Sequence, residues 1–371
     1  MGFVKVMSVL VVLVAIGLKL VHDNTPPVIP GNLPKEMRAL RVHGPGNATT
    51  LGDVRVDTIP VPKVERGYVL IRVRAAAINP SDIYFLRGIY TSTGNDPSFP
   101  AAAGFEGSGL VVGHGGGLFG HMLLGQRVAF GAAGGGAYAE YIAVKEDLVI
   151  PLPAEMNYPQ GAFSMVNPLT AIGMLSTGLS EGHQAFVQTA AASSLGKMLL
   201  RLSKVQDVPM IHVVRRAAQK QLLVGLGAVP EHVLISTDND FVPKLRALSK
   251  QLRATAAFDA VAGTSTAQLA EALPDGGLVY VYGALSNEPV KDVDPMVLMH
   301  GNKRIGGWHL RVWTDNLYFP QKLMYIFKTR ALLTTALRTD INGYVSLDNF
   351  VTEANKYMGA ATNNKRVLVF K

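Results

Sequence analysis

The sequence predicts an α/β protein of two domains, one β-rich and one a doubly wound parallel sheet, preceded by a short apolar segment. Three observations predict it. Up to about residue 150 the chain reads as short β-branched and apolar runs cut by Gly and Pro. From about 162 to 303 strand-like runs alternate with helical ones, which implies crossover connections and a parallel sheet. Ahead of both, residues 6–18 read VMSVLVVLVAIGL, and Thr25-Pro26-Pro27 and Pro30-Gly31 cut this run off from the body.

The apolar segment comes first in the chain. It is flanked by Lys5 and Lys19, and no acidic residue precedes Asp23. The run is short for a membrane span, although Phe3, Val4, Leu20 and Val21 extend it. It fits the apolar part of a signal peptide or a signal anchor, and lacks the Arg- and Ser-rich amphipathic pattern of a mitochondrial presequence. Residues 1–34 therefore read as a targeting or anchoring piece plus linker, with membrane association through residues 3–21. This leaves a membrane-anchored, organelle-targeted (mitochondrial or endomembrane) or cytoplasmic protein open. A sequon, Asn47-Ala48-Thr49, would matter only in the secretory lumen.

In the β-rich part, MRALRV, YVLIRVRAAAI and GSGLVVG read as strands, and QRVAFGAAGGGAYAEYIAV as two strands around a glycine-rich connection. NYPQGAFSMVNPLTAIGMLSTG reads as helix, broken at Asn167-Pro168. Next come QAFVQTA (strand), SSLGKMLLRLSKVQ (helix), MIHVVRR (strand) and AAQKQLLVGLG (helix). HVLIS, a helix over 242–251, AAFDAV and GGLVYVYG continue the alternation. YFPQKLMYIFKTRALLTTAL is helical, and KRVLVFK reads as a closing strand.

Composition narrows the chemistry. Of 371 residues, 48% are hydrophobic, 17% are charged and 38 are Gly, which suits a packed enzyme-like body rather than a disordered chain. There is no Cys, so disulfides and thiolate zinc sites are excluded. His114 and His121 lie close together with no third ligand, and read as surface-loop residues; no metal is expected. The net charge of +8 comes from scattered Lys and Arg, with no basic run interleaved with aromatics, so no nucleic acid partner is expected.

The first strand-to-helix turn of the parallel domain is QTAAASSLGKM. The small residues through Ala192, Ser193, Ser194, Leu195 and Gly196 let the backbone approach a pyrophosphate, whose charge rests on free N–H groups at the helix start. A tight turn with an N-cap Ser reads the same way, since only one of the three usual glycines is present. The second strand decides between dinucleotides. Where an acid would bind a ribose diol, this chain places Arg215 and Arg216. A guanidinium suits a 2′-phosphate, and the reading is NADPH rather than NADH.

AAAINPSDIYFLRGIY, GFEGSG, AEYIAV, VNPLTA, QTAAASSLG and VYGAL, in this order, resemble the medium-chain dehydrogenase/reductase superfamily. The resemblance is to its zinc-independent branch of quinone oxidoreductases and enoyl thioester reductases, and covers nearly the whole chain from residue 37. It implies a GroES-like β-rich catalytic domain over 35–161 plus 304–371, with an inserted Rossmann domain over 162–303. It also implies a cleft between the domains, and a homodimer paired through the nucleotide domain.

The resemblance implies site residues too. Tyr90 matches a tyrosine that serves enoyl thioester reductases as acid or donor; a core or lip aromatic is the other reading. Asn79 and Ser81 resemble residues near the nicotinamide, and Asp82 alternatively caps the following helix. Asn167 and Thr170 resemble nicotinamide neighbours, and either also serves the helix break. Tyr282 and Gly283 of VYGAL fall with the cofactor-binding residues. Trp308, His309 and Trp313 fall where this branch lines the substrate channel; His309 stands where the enoyl reductase pattern has an aromatic. Ser194 and Leu195 replace the common Gly-Val of the phosphate turn. The implied activity is zinc-independent, NADPH-dependent hydride transfer to an activated C=C or a quinone, with an enoyl thioester, enone or quinone as substrate. A different class stays open: a non-catalytic, membrane-tethered NADPH-binding sensor or scaffold, motivated by the N-terminal segment.

Overall fold

Alternation of buried and exposed side chains shapes the first strands. The structure, a computed structural model, describes residues 23–47, 50–89, 98–358 and 365–371. The apolar segment up to residue 22, part of the sequon and Tyr90 lie outside the described residues. β1 (Glu36–Gly44) is the central strand of a three-stranded sheet, between β2 (Asp53–Pro60) and the short β4 (Ala101–Ala102). β3 (Tyr68–Ile78) is buried on both faces along most of its length, and its Ala75, Ala76 and Ala77 are wholly enclosed. α1 (Pro80–Leu86) follows directly; its first residue is Pro, which lacks the N–H that a helix start leaves unpaired anyway. Then come β5 (Glu106–His114), α2 (Leu118–Leu123), β6 (Arg127–Gly131), β7 (Tyr141–Lys145), β8 (Val149–Pro151) and α3 (Tyr158–Gly161).

Contacts divide the chain into two compact units, residues 1–165 with 341–371, and 166–340. The second unit begins with α4 (Val166–Ser180). The expected break at Asn167-Pro168 is absent: Pro168 falls in the first turn of α4, where its missing N–H costs nothing. The interruption lies earlier, between α3 and α4. The unit continues with β9 (Ala185–Gln188), α5 (Ser194–Val205), β10 (Met210–Val214), α6 (Ala217–Gly225), β11 (Val233–Ile235), α7 (Phe241–Leu252), β12 (Ala254–Asp259), α8 (Thr264–Ala272), β13 (Leu278–Val281), α9 (Pro295–His300) and β14 (Arg304–Gly307). α10 (Leu310–Asp315) and α11 (Phe319–Leu332) end it, and β15 (Gly343–Ser346), α12 (Phe350–Met358) and β16 (Arg366–Val369) return to the first unit.

The six strands of the second unit are all parallel, in the order β11-β10-β9-β12-β13-β14. This is the doubly wound order, whose reversal point falls between β9 and β12. Its strands are near-continuous apolar runs because both faces are covered. The unit extends past residue 303, the boundary expected from the sequence, because Arg304–Gly307 joins the sheet as its edge strand beside β13. In the first unit, β15-β16-β3-β5-β6-β8 form the larger sheet and β7 pairs with β3. Its core gathers Leu40, Ile71, Phe130, Tyr138, Phe350 and Leu368. Each such fully buried apolar side chain contributes about 1.5–3 kcal/mol.

Candidate nucleotide and substrate sites

The phosphate turn is built by the residues that leave β9. Ala190 has φ +47°, a left-handed conformation that reverses the chain. Ser193 is extended (φ −68°, ψ 169°) and its hydroxyl accepts from the Gly196 amide at 3.0 Å, capping α5. Lys197 N–H bonds to the Ser193 carbonyl, so the amides of Ser194 and Leu195 begin the helix without intrahelical acceptors. A Cβ on Gly196 would meet the Ala191 carbonyl oxygen at 2.4 Å, so only Gly allows the helix to close on the turn. Ala191 and Ala192 are buried. The turn thus offers free backbone N–H groups at a helix start, which is what a pyrophosphate needs.

One strand away, β10 ends at Val214, and Arg215 and Arg216 follow it, both exposed. The Gln219 side chain accepts from both of their backbone amides, at 3.0 and 3.1 Å, and so fixes the bend into α6. Among the described residues neither guanidinium has an ion-pair or hydrogen-bond partner. Two unneutralised cations beside a helix N-terminus fit the second phosphate of a dinucleotide. Tyr282 and Gly283 follow β13, and the Tyr282 amide donates to the Asp259 carbonyl at 2.9 Å. Burial first, and the Asp259 carboxylate second, hold the Tyr282 phenol above its ordinary value.

Asn167 and Thr170 lie on α4, Asn167 half-buried and Thr170 buried. Further along this helix Gly173 makes room for two indoles: its Cβ would meet Trp308 at 2.9 Å and Trp313 at 3.0 Å. Trp308 donates from Nε1 to Thr177 at 3.2 Å, and the two indole rings lie 6.2 Å apart. Tyr325 closes the group edge-on to Trp313 at 4.7 Å. Trp308 is buried and Trp313 half-buried, so the pair forms a packed aromatic wall on α4. His309 immediately precedes α10; partial burial first, then Arg311, keep its imidazole below the ordinary range.

In the first unit Asn79 does not stand free. Its Nδ2 donates to Glu106 at 2.7 Å, its Oδ1 accepts from the Lys365 ammonium, and its amide donates to Asp82 at 2.7 Å. Asn79 is 2% exposed and both ends of its carboxamide are engaged, so it anchors α1. Asp82 is the third residue of α1, and by accepting from the Asn79 amide its carboxyl caps that helix, the role expected as the alternative; it also accepts from the Phe105 amide at 3.0 Å. Burial is the main cause that pushes its carboxyl up to about 7. Burial likewise lowers Lys365 to about 8. Ser81 is half-buried beside them in the chain.

His114 also departs from expectation. It is wholly buried at the end of β5, its Nδ1 accepts from the Gly116 amide at 3.2 Å, and its ring meets that of the exposed His121 at 5.7 Å. The strand carries it inward, so it is not a loop residue. Among the described residues no group of three His, Asp or Glu could hold a metal ion.

Sequence reasoning missed Gln188, Thr189, Asp259, Glu106 and Lys365. All are buried polar side chains: Gln188, Asp259 and Lys365 lie in runs otherwise read as strand, Thr189 where such a run meets the phosphate turn, and Glu106 just ahead of one, in GFEGSG. A polar residue inside an apolar strand was the available signal.

Comparison with known proteins places this geometry. Residues 65–154 match the alcohol dehydrogenase GroES-like domain. A Mesorhizobium loti protein assigned as an NADPH:quinone reductase superposes with TM-score 0.80 and 30% identity, over 91% of this chain and 100% of that one. The chain belongs to the medium-chain dehydrogenase/reductase superfamily. Within it, the chain falls in the zinc-independent enoyl/quinone reductase branch, and it is an oxidoreductase. The mitochondrial enoyl-[acyl-carrier-protein] reductase of Rattus norvegicus is 28% identical over 287 residues, 76% of this chain and 75% of its own length. A mycobacterial structure solved with NADPH has TM-score 0.72 and 23% identity, over 90% of this chain and 100% of that one; that likeness is one of fold.

Proposed function

We propose that this member of the superfamily is an NADPH-dependent, zinc-independent reductase that delivers hydride to an activated C=C or a quinone. One observation carries the reading: two exposed guanidinium groups, without an ion-pair or hydrogen-bond partner among the described residues, follow β10, next to the strand whose turn opens α5. An acid at this place would favour NADH, and two cations favour the additional phosphate.

When bound, the cofactor supplies the hydride. The amides of Ser194 and Leu195 and the positive start of α5 hold the pyrophosphate. Arg215 and Arg216 hold the 2′-phosphate. Tyr282 and Gly283, with Asn167 and Thr170, flank the nicotinamide half, and Trp308 and Trp313, with His309 beside them, line the substrate channel. With no metal to polarise it, the substrate oxygen requires a protein donor as negative charge develops. Tyr90 is that donor in this proposal. Asn79 acts at a distance, by holding α1 in place.

The names of the relatives support both an enoyl thioester and a quinone as acceptor. The comparisons offer no support for a non-catalytic sensor or scaffold. The N-terminal apolar segment is then an address or anchor, to the mitochondrion or endomembranes. No helix among the described residues is long and apolar enough to cross a membrane. A homodimer through the nucleotide-binding unit completes the proposal.

Fluorescence titration with NADPH and NADH tests the cofactor, and turnover of crotonyl thioester beside a small quinone tests the reaction. Preference for NADPH of about 10–100-fold is expected, the value of charge-assisted hydrogen bonds to one phosphate. Equal affinity for the two dinucleotides, or no NADPH oxidation with either acceptor, overturns the reading. Deleting residues 1–34 is expected to change location and leave turnover intact.

A further inference from the structure

Asp259 ends β12, on one side of the reversal point of the parallel sheet, and its carboxylate is wholly buried. Buried charge is costly unless hydrogen bonds satisfy it. Here five donors do so. The Thr189 hydroxyl reaches Oδ1 at 2.8 Å, across the strand boundary. The Val261 amide (2.9 Å) and Ser265 hydroxyl (3.2 Å) share that oxygen. The Thr266 hydroxyl (2.7 Å) and Ala262 amide (3.3 Å) take Oδ2. Thr189 Oγ1 in turn accepts from the Ala260 amide at 2.8 Å.

The loops tied in this way are those that border the dinucleotide crevice in a sheet of this order. Thr189 is the residue from which the phosphate turn departs. Residues 260–266 leave β12 through two left-handed positions, Ala262 (φ +61°) and Gly263 (φ +59°). The loop after β13 joins them, since the amides of Tyr282, Leu285 and Ser286 donate to the carbonyls of Asp259, Ala260 and Val261. On the opposite side of the same turn, buried Gln188 donates to the Gly196 carbonyl at 3.0 Å and contacts His212 at 2.7 Å. Burial lowers His212 to about 4, so the ring is neutral and its Nδ1 accepts.

We infer that Asp259 and Thr189 are positioning residues for the pyrophosphate turn, with Gln188 bracing its other side. Neither side chain reaches solvent, so both act through the backbone they hold. A carboxylate is required at 259, because every neighbour it meets is a donor; an amide there would turn its own N–H groups toward donors. The hydroxyl at 189 is required because it both donates and accepts.

The inference rests on the proposed dinucleotide site, and the test separates the two. NADPH and adenosine 2′,5′-bisphosphate are titrated against wild type, Asp259→Asn, Thr189→Val and Thr189→Ser well below their melting temperatures. Adenosine 2′,5′-bisphosphate reports the guanidinium pair without the pyrophosphate. Thr189→Val is expected to weaken NADPH by about tenfold, the value of roughly 1.4 kcal/mol. It should leave the bisphosphate within twofold of wild type, and Thr189→Ser should restore NADPH. Asp259→Asn should behave as Thr189→Val or fail to fold; Thr189→Val decides in that case. Unchanged NADPH affinity in Thr189→Val, or equal loss of both ligands, overturns the inference while the cofactor reading stands. Failure of wild type to bind NADPH removes both.

Discussion

Asn79 donates to Glu106 at 2.7 Å inside the first unit, and that contact joins the start of α1 to the start of β5. Glu106 also accepts from the Met165 amide at 3.0 Å, and Lys365 arrives from the C-terminal end of the chain to meet Asn79. Two carboxyls and one ammonium are thereby enclosed together. The Lys365 ammonium also lies 5.4 Å from the Phe163 ring.

This enclosure predicts an unusual pH dependence of stability. Asp82 titrates near 7 in the folded protein against 3.8 for the free side chain, so the native state binds more protons in between. Stability therefore falls as pH rises from about 4 to 7 on account of this group. Lys365 has the opposite sign: its value drops to about 8 from 10.5, and stability rises again as pH passes from 8 to 10.5. Asp82→Asn should flatten this slope: the hydrogen bond lost from Asn79 lowers stability at acid pH, while loss of the buried charge offsets this above about pH 7. Thermal melting of wild type and variant between pH 5 and 9 reads this. An unchanged slope in the variant would mean that Asp82 is ionised throughout.

Ala190 predicts a gain. An L residue in the left-handed region costs about 1–2 kcal/mol, and Gly recovers this less about 0.5–1 kcal/mol of added unfolded-state entropy. Ala190→Gly should stabilise the protein by roughly 0.5 kcal/mol, or raise its melting temperature by about 1–2 °C. The same variant should bind NADPH at least as well as wild type. A lower melting temperature would show that the Ala190 methyl contributes packing that outweighs its backbone strain.

Much of this architecture was legible because period and punctuation agree with burial. β3, β5, β10 and β12 are apolar runs ending at Gly, Pro or charged residues, and α5 repeats apolar residues at Leu195, Met198, Leu199 and Leu202. The edge strand Arg304–Gly307 was not legible: two of its four residues are Gly, and only pairing with β13 makes it a strand. Pro168 misled because its effect depends on helix position: two residues after the start of α4 at Val166, it falls in the first turn. The turn at 189–196 and the pair Arg215-Arg216 could be read locally. The Asp259 hub could not, since its link to Thr189 spans 70 residues of chain.

Tyr90→Phe isolates the proposed donor. The ring is kept and only the hydroxyl is lost, so substrate binding should change little. General acid or donor catalysis contributes roughly 10²–10⁴-fold, and kcat should fall within that range while KM stays within about threefold. Steady-state rates with crotonyl thioester and NADPH read this. Full activity in Tyr90→Phe would remove the tyrosine from the mechanism and leave the charge on oxygen to another donor.

Charge at the end of β10 gives the last prediction. The Arg215 and Arg216 guanidinium groups are exposed, so their pull on a phosphate is partly screened by salt. Removing both as Arg215→Ala/Arg216→Ala should weaken NADPH by about 10–100-fold and leave NADH within about twofold. In wild type, raising ionic strength from 0.05 to about 0.5 M should weaken NADPH more steeply than NADH, because only one ligand carries the additional phosphate. In the double variant the two salt slopes should converge. The backbone bend should survive, since Gln219 holds it through the amides of both residues and not through their side chains. Parallel salt slopes for the two dinucleotides in wild type would place the 2′-phosphate away from these arginines, whatever the absolute affinities.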